Sequence, residues 1–123
     1  RYVTDEMFAT ADVVLYRLLG VCDGLISDYS SVAVDYMLLN RPLAYVLSDM
    51  QQYKETRGFV FENPQEYMPG EKIYDLKGLE EFAVHVSGEK DLYREERRKL
   101  LPVMHQMPVK ENYSKALAEF LKL

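Results

Sequence analysis

The strongest constraint on this fold is a pair of short apolar runs separated by one amphipathic segment. Residues 24–28 are a predicted buried strand and residues 43–47 a second strand, and the two are expected to be central neighbours in the sheet. The second is apolar throughout, which is typical of a strand covered on both faces. Between them, residues 31–40 place apolar side chains at helical spacing, and Pro42 restricts Arg41 and predicts the helix end. A strand, a helix and a strand in this order predict two parallel neighbours.

The rest of the sequence extends this alternation of strands and helices. Short strands are predicted at residues 2–4 and 72–74, the second after a Pro69-Gly70 turn. Helices are predicted at residues 11–21, 49–56, 76–86, 91–105 and 112–123, and Pro102 should end or kink the fourth of them. We therefore predict one α/β domain over residues 1–123, a Rossmann-like parallel sheet flanked by helices.

Composition narrows the function classes. The 123 residues are 48% hydrophobic and 28% charged, enough for a real core, and the net charge of -5 argues against non-specific nucleic-acid binding. Cys22 lies in an apolar stretch and is predicted to be a small core residue. No run approaches the roughly 20 apolar residues of a membrane span.

No metal-ligand pattern is present, so neither a metal nor a cofactor is expected. Because the chain begins at Arg1, we expect it to be part of a longer protein.

A polar joint separates the first predicted strand from its helix. Asp28, Tyr29, Ser30 and Ser31 occupy it, and ligands of parallel sheets bind beyond the carboxyl ends of the strands. The serines have two interpretations: a helix N-cap, or hydroxyl donors that hold an anion together with the free N–H groups of the helix start. Asp28 either orients ligand hydroxyls or bonds backbone N–H groups. The joint lacks the glycines and lysine of known phosphate loops.

A second group of candidates follows the second strand. Asp49 is expected at the same sheet edge, and Asp49, Tyr53 and Arg57 would share one helix face. Arg57 is the candidate anion ligand, with a structural ion pair as its alternative. Arg41 lies about ten helical residues, roughly 15 Å, from Ser31. It is therefore expected at the opposite edge, as a charge at a helix carboxyl end or as a partner in a salt bridge.

These residues resemble a known family. The segment "DGLISDYSSVAVDY", then Arg41-Pro42, an apolar strand and the spacing Asp49, Tyr53, Arg57-Gly58-Phe59, resembles the C-terminal part of the CDP-glycerol glycerophosphotransferases of teichoic acid synthesis. The resemblance is specific from about residue 15 to residue 70.

The resemblance implies the donor-binding C-terminal portion of a two-domain GT-B fold. Glycerol phosphate would pass from CDP-glycerol to a lipid-linked or polymer acceptor, at the inner face of the cell membrane. The donor phosphates would lie near Ser30, Ser31 and Arg57, with weaker contacts from Asp28, Tyr29 and Asp49. The catalytic histidines would lie upstream, so the 123 residues alone are expected to be inactive. These sequence motifs do not distinguish glycerol-phosphate transferases from ribitol-phosphate transferases.

Two other classes stay open. Another GT-B nucleotide-sugar transferase or epimerase would share the fold, but such enzymes often carry a Gly-rich turn and a glutamate for the donor ribose. A non-catalytic α/β binding module of the receiver type needs an acidic pair after its first strand and a lysine late in the sheet. The order of residues in this chain does not supply them.

Overall fold

A computed structural model describes residues 4–11, 14–56, 58 and 62–105. The described part alternates helices with three short strands, in the order predicted for an α/β protein. The elements are α1 (Asp5–Ala11), α2 (Leu15–Val21), β1 (Leu25–Ser27), α3 (Val32–Tyr36), a 3₁₀ turn (Met37–Leu39), β2 (Leu43–Val46), α4 (Met50–Thr56), a 3₁₀ turn (Pro64–Tyr67), β3 (Glu71–Ile73), α5 (Leu76–Ser87) and α6 (Arg94–Met104).

The three strands form a parallel sheet in the order β1-β2-β3. Leu25 pairs with Leu43, and Val46 pairs with Ile73, so the predicted parallel neighbours are confirmed. β1 is the edge of the described sheet rather than a second central strand. Its Ile26 is 41% exposed, which corrects the prediction of a buried strand.

β2 forms the centre of the packing. Leu43 and Tyr45 belong to one buried cluster, while Ala44 belongs to a second cluster with Ile73 and Phe82. The alternation follows from the two-residue period of a strand, since successive side chains point to opposite faces. Burial of one large apolar side chain contributes about 1.5–3 kcal/mol to the stability of the folded state. The prediction of a strand covered on both faces is confirmed.

The helix after the polar joint is shorter than predicted. α3 spans only Val32–Tyr36 and tightens into the 3₁₀ turn. Asn40 then adopts the left-handed conformation, with φ 48° and ψ 42°, which asparagine tolerates better than most residues. The chain therefore turns out of the helix before Pro42, and the predicted helix over residues 31–40 is corrected to these two short elements.

The outer elements agree in part with the predictions. α6 continues for two residues beyond Pro102, because a proline removes only one hydrogen bond of the last helical turn. α1 was not predicted; Thr4 Oγ1 accepts a hydrogen bond from the backbone N–H of Met7 at 3.3 Å at its start. The strand predicted at residues 2–4 falls largely outside the described residues, and the helix predicted at residues 112–123 falls entirely outside them.

Gly70 occupies a position that only glycine fits. A Cβ atom there would lie 2.3 Å from the carbonyl oxygen of Leu43. The predicted Pro69-Gly70 turn therefore brings the chain into β3 by a close approach to β2, which a side chain would block.

Candidate functional site

A pocket of about 300 Å³ opens at the carboxyl edge of the sheet, beside the polar joint. It is built by the joint, α3, β2, α4, the loop before β3 and the end of α6. Its lining residues are Asp28, Tyr29, Ser30, Ser31, Ala33, Val34, Tyr45, Tyr53, Gly58, Pro64, Tyr67, Met68 and Met104. Four of the six predicted site residues thus meet in one cavity.

Asp28 shapes the joint. Its Oδ1 atom accepts a hydrogen bond from the backbone N–H of Ser30 at 2.9 Å, a local turn that aspartate side chains commonly make. Of the two roles predicted for Asp28, the structure contains the backbone bond. This bond sets the direction in which the chain leaves β1 and enters α3.

The two serines do not cap the helix with their side chains. Ser31 occupies the N-cap position in a helical conformation, with φ -60° and ψ -20°, and its side chain makes no capping bond. Within the described residues, neither hydroxyl has a hydrogen-bond partner, and both residues are exposed. The capping interpretation is therefore wrong, and both hydroxyls lie at the rim of the pocket. With five residues, α3 also supplies a smaller dipole than a long helix would.

An aromatic pair forms one wall. The rings of Tyr29 and Tyr53 lie 4.2 Å apart between centroids, tilted by 33°. The Tyr29 hydroxyl donates a hydrogen bond to Asp49 Oδ1 at 3.1 Å. Burial, followed by that bond and the charge of Asp49, raises the pKa of Tyr29 to about 12. Asp49 itself does not line the pocket, so it contacts the site through Tyr29.

The charge of the lining differs from that of an ordinary phosphate site. Among the described lining residues, Asp28 carries the only formal charge. Arg57, the predicted anion ligand, lies outside the described residues, although its neighbour Gly58 lines the pocket. The role of Arg57 stays a prediction. Asp49, Tyr53 and Arg57 were predicted to share one helix face. Because α4 begins at Met50, Asp49 lies just before the helix and not within it.

The floor and back of the pocket come from residues that the sequence did not single out. Tyr45 and Met68 are 3% and 9% exposed, and Met104 reaches the pocket from α6. His105 Nε2 donates a hydrogen bond to the Val34 carbonyl at 2.9 Å. His105 therefore connects the carboxyl end of α6 to α3.

A buried arginine fixes the other half of α6. Arg97 is 1% exposed; its Nη2 donates to Asp91 Oδ2, and its Nε donates to Asn40 Oδ1 at 3.2 Å. Its Nη1 also reaches the Pro69 carbonyl at 3.5 Å. The arginine thus joins α6 to the end of the 3₁₀ turn after α3 and to the loop before β3. The sequence carried a signal for it, because position 97 shares the helical face of Leu100, Leu101 and Met104.

The remaining polar candidates lie away from the pocket. Arg41 Nη1 donates to the carbonyl oxygens of Gly20 and Cys22 at 2.9 and 2.7 Å. It thus serves a helix carboxyl end as predicted, but the helix is α2. His85 Nδ1 lies 3.0 Å from both carboxylate oxygens of Glu71, a contact that joins α5 to β3.

Neither a metal-binding cluster nor a membrane-spanning helix occurs in the part of the chain that the structure describes. Within residues 4–11, 14–56, 58 and 62–105, no three His, Cys, Asp or Glu side chains are grouped so that they could hold a metal ion. No helix in the same ranges is long and apolar enough to span a membrane.

Comparison with known proteins decides the family. Residues 3–115 match the family model described as CDP-Glycerol:Poly(glycerophosphate) glycerophosphotransferase. The chain belongs to this family. The match covers every described element and includes the polar joint, so the resemblance noted from residues 15–70 is confirmed over a longer range.

Curated relatives agree with this assignment. A teichoic acid glycerol-phosphate primase of Bacillus subtilis is 34% identical over 79 residues, which are 64% of this chain and 20% of that protein. In Bacillus spizizenii, a teichoic acid ribitol-phosphate primase is 38% identical over 65 residues, 53% of this chain and 16% of the relative. A glycerol-phosphate primase of the same species is 33% identical over 93 residues, 68% of this chain and 24% of the relative. The chain spans about a fifth of the length of these relatives.

Proposed function

We propose that this chain supplies the donor-binding part of a transferase that moves a polyol phosphate from a CDP-activated donor to a teichoic acid-type acceptor. CDP-glycerol is the first candidate donor, because the family description names it. In this proposal the described sheet belongs to the C-terminal domain of a GT-B fold. The lipid-linked acceptor, the histidine base and any contact with the inner face of the membrane would belong to the intact protein.

One observation carries the proposal. Ser30 and Ser31 place two exposed hydroxyls at the rim of a pocket on the carboxyl edge of a parallel sheet, and neither hydroxyl bonds within the described residues. Hydroxyls and the backbone N–H groups of a helix start are donors for phosphate oxygens. These serines therefore support a diphosphate at the rim, with Arg57 as a proposed charged partner.

The chemistry follows from that placement. An acceptor hydroxyl attacks the phosphorus that carries the glycerol; the new O–P bond forms and the bond to the bridging oxygen breaks, so that CMP leaves. The serine hydroxyls would stabilise charge developing on the departing phosphate, since fixed donors act without reorganisation. A base removes the proton of the acceptor hydroxyl. His85 is engaged by Glu71 and His105 by the Val34 carbonyl, which favours a base outside this chain.

The test uses the intact protein and three donors. CDP-glycerol, CDP-ribitol and UDP-glucose are titrated calorimetrically, and CMP release is followed with a polymer acceptor. CDP-ribitol is included because one relative is a ribitol-phosphate primase. We expect binding of at least one CDP-polyol, with acceptor-dependent release of CMP, and weaker binding of UDP-glucose. Tight binding of UDP-glucose without binding of either CDP-polyol would favour the nucleotide-sugar enzymes instead.

A further inference from the structure

We infer that Lys72 is a positioning residue for the pocket: its ammonium group fixes the backbone of the loop before β3, residues 62–70, and thereby holds Met68 in the pocket wall. This inference rests on the proposed function, because it takes the pocket to be the place where the donor binds. Lys72 is half-buried and does not line the pocket. It therefore acts on a donor only through the residues that do.

The carbonyl groups at the end of this loop are held by two cationic side chains. Lys72 Nζ donates hydrogen bonds to the carbonyl oxygen of Met68 and, at 2.6 Å, to that of Gly70. Arg97 Nη1 donates to the carbonyl oxygen of Pro69, between them, at 3.5 Å. All three loop residues are buried, and hydrogen bonds from charged donors are stronger than neutral ones. Together these bonds favour one conformation of the loop backbone.

The pairing of β3 with β2 explains how Lys72 reaches the loop and the pocket floor together. Lys72 is the register partner of Tyr45, so the two side chains share one face of the sheet. Its Nζ atom lies 5.6 Å from the ring centroid of Tyr45 and 5.0 Å from that of Tyr93, within the range in which a cation is attracted to an aromatic face. The ammonium group is thus held between the pocket floor, the loop and the residue that precedes α6.

The loop transmits its conformation to the cavity through its own side chains. Pro64, Tyr67 and Met68 all line the pocket. Met68 is bonded to Lys72 through its own carbonyl, and its side chain packs in the same buried cluster as Tyr45. A shift of the backbone at Met68 would therefore change the shape of the pocket wall directly.

Packing alone does not account for a lysine at this position. Burial lowers the pKa of Lys72, and no carboxylate among the described residues forms an ion pair with it. An apolar side chain would fill the same space without the desolvation of a charge. The hydrogen bonds to the loop are what the ammonium group adds.

The experiment measures donor kinetics in the intact protein with Lys72→Leu, which keeps apolar volume and removes the ammonium group. If about a tenth of the molecules then hold the loop in the binding-competent conformation, apparent donor affinity falls about tenfold. We expect KM for CDP-glycerol to rise by about that factor, with kcat within about two-fold of wild type, because saturating donor restores the competent conformation. Lys72→Gln retains one donor group and should give an intermediate KM, and it takes the place of Lys72→Leu if that variant does not fold.

Two control variants separate positioning from a general loss of stability or of charge. Lys77→Leu removes a lysine whose side chain is 81% exposed. Phe82→Leu weakens the buried cluster on the opposite face of the sheet. Neither residue lines the pocket, so both variants should keep the wild-type KM, although Phe82→Leu should lower the melting temperature.

A measurement without donor tests the loop itself. The ε-methyl NMR resonance of Met68, assigned with Met68→Leu, should shift or broaden in both Lys72 variants and stay unchanged in Lys77→Leu. An unchanged Met68 resonance, a KM within two-fold of wild type in the folded Lys72 variants, or an equal rise of KM in Phe82→Leu would overturn the inference. A wild-type protein that turns over no CDP-polyol would instead contradict the proposed function, and the Met68 resonance would still show whether Lys72 holds the loop.

Discussion

The polar joint after β1 and the buried contact of α6 use polar residues in opposite ways. At the joint, Ser30 and Ser31 are exposed, and their hydroxyls find no partner among the described residues. At α6, Arg97 is buried, and its nitrogens are bonded to three separate parts of the chain. The first region leaves its hydroxyl donors available to a ligand, whereas in the second each of the three guanidinium nitrogens forms a hydrogen bond within the fold.

This difference explains why the distinctive sequence motif of the joint is not the segment that makes the important contact within the fold. The serines sit in a distinctive sequence block, yet nothing in their geometry indicates a large contribution to folding. Arg97 lies in the ordinary-looking segment "REERRKLL", yet it joins three elements around the site. Substitutions at Arg97, Arg41, Tyr29 and the two serines would break or sharpen this comparison.

The largest expected effect is on folding, from Arg97→Met. Removing the arginine leaves Asp91, whose side chain is 7% exposed, with the partly exposed Arg94 as its remaining ion-pair partner, at 3.6 Å from Nε to Oδ2. We expect a loss of about 3 kcal/mol in the free energy of unfolding, the lower end of the range for breaking a buried ion pair, measured by urea denaturation. Adding Asp91→Asn should recover part of the loss, since it removes the poorly compensated charge.

Arg98→Met is the matched control for this substitution. Arg98 is the next residue in α6, but its ion pair with Glu95 is exposed, with side chains 59% and 68% accessible. Its loss should change stability by less than about 1 kcal/mol. Similar effects from Arg97→Met and Arg98→Met would contradict the role given to Arg97.

An intermediate effect is expected from Arg41→Met. Two charge-assisted bonds to the carbonyls of Gly20 and Cys22 would be lost, and such bonds contribute about 1.5–3 kcal/mol. Arg41 is half-buried, so the lower end of this range is expected. Because Arg41 does not line the pocket, CDP-glycerol affinity should stay within two-fold of wild type. A tenfold loss of affinity with unchanged thermal stability would place Arg41 in the donor site instead.

A smaller effect, confined to alkaline pH, is expected at Tyr29. Its folded-state pKa of about 12 lies above the ordinary value of 10, so the folded protein holds the phenolic proton more tightly than the unfolded chain. The resulting stabilisation is complete below pH 10 and is lost as the pH rises from about 10 to about 12.

Tyr29→Phe should remove this component. The difference in unfolding free energy between wild type and Tyr29→Phe should therefore shrink across that pH range, as followed by denaturation at several pH values. A difference that stays constant from pH 9 to pH 12 would show that the pKa of Tyr29 is not raised in the folded protein.

Most of the sheet could be predicted from the sequence, because its causes are local. The apolar run of β2 and the helical spacing of α5 and α6 can each be recognised from the order of apolar residues in one segment. The Pro69-Gly70 turn can be recognised because proline restricts the backbone and glycine allows conformations closed to other residues. The short α3 was not predictable in the same way. Its end depends on the left-handed Asn40, and Asn40 also accepts a bond from Arg97, 57 residues further on.

From the sequence, the site could be assigned to one edge of the sheet, but its interior could not be predicted. Parallel topology placed the joint at a ligand-binding edge, and the family resemblance pointed to the serines. The apolar interior was not visible, because Tyr45, Met68 and Met104 come from three elements far apart in sequence. Each of these residues has an ordinary packing role in its own segment, and only the tertiary fold brings them together.

The most direct test of the central claim is a pair of measurements on Ser30→Ala and Ser31→Ala in the intact protein. Thermal unfolding and CDP-glycerol affinity are determined separately for each variant. Each lost charge-assisted hydrogen bond should cost about 1.5–3 kcal/mol of binding, so donor affinity should fall roughly tenfold or more. The melting temperature should stay close to that of wild type, because neither hydroxyl caps the helix. Reduced stability with donor affinity within two-fold of wild type, for both variants, would contradict the account.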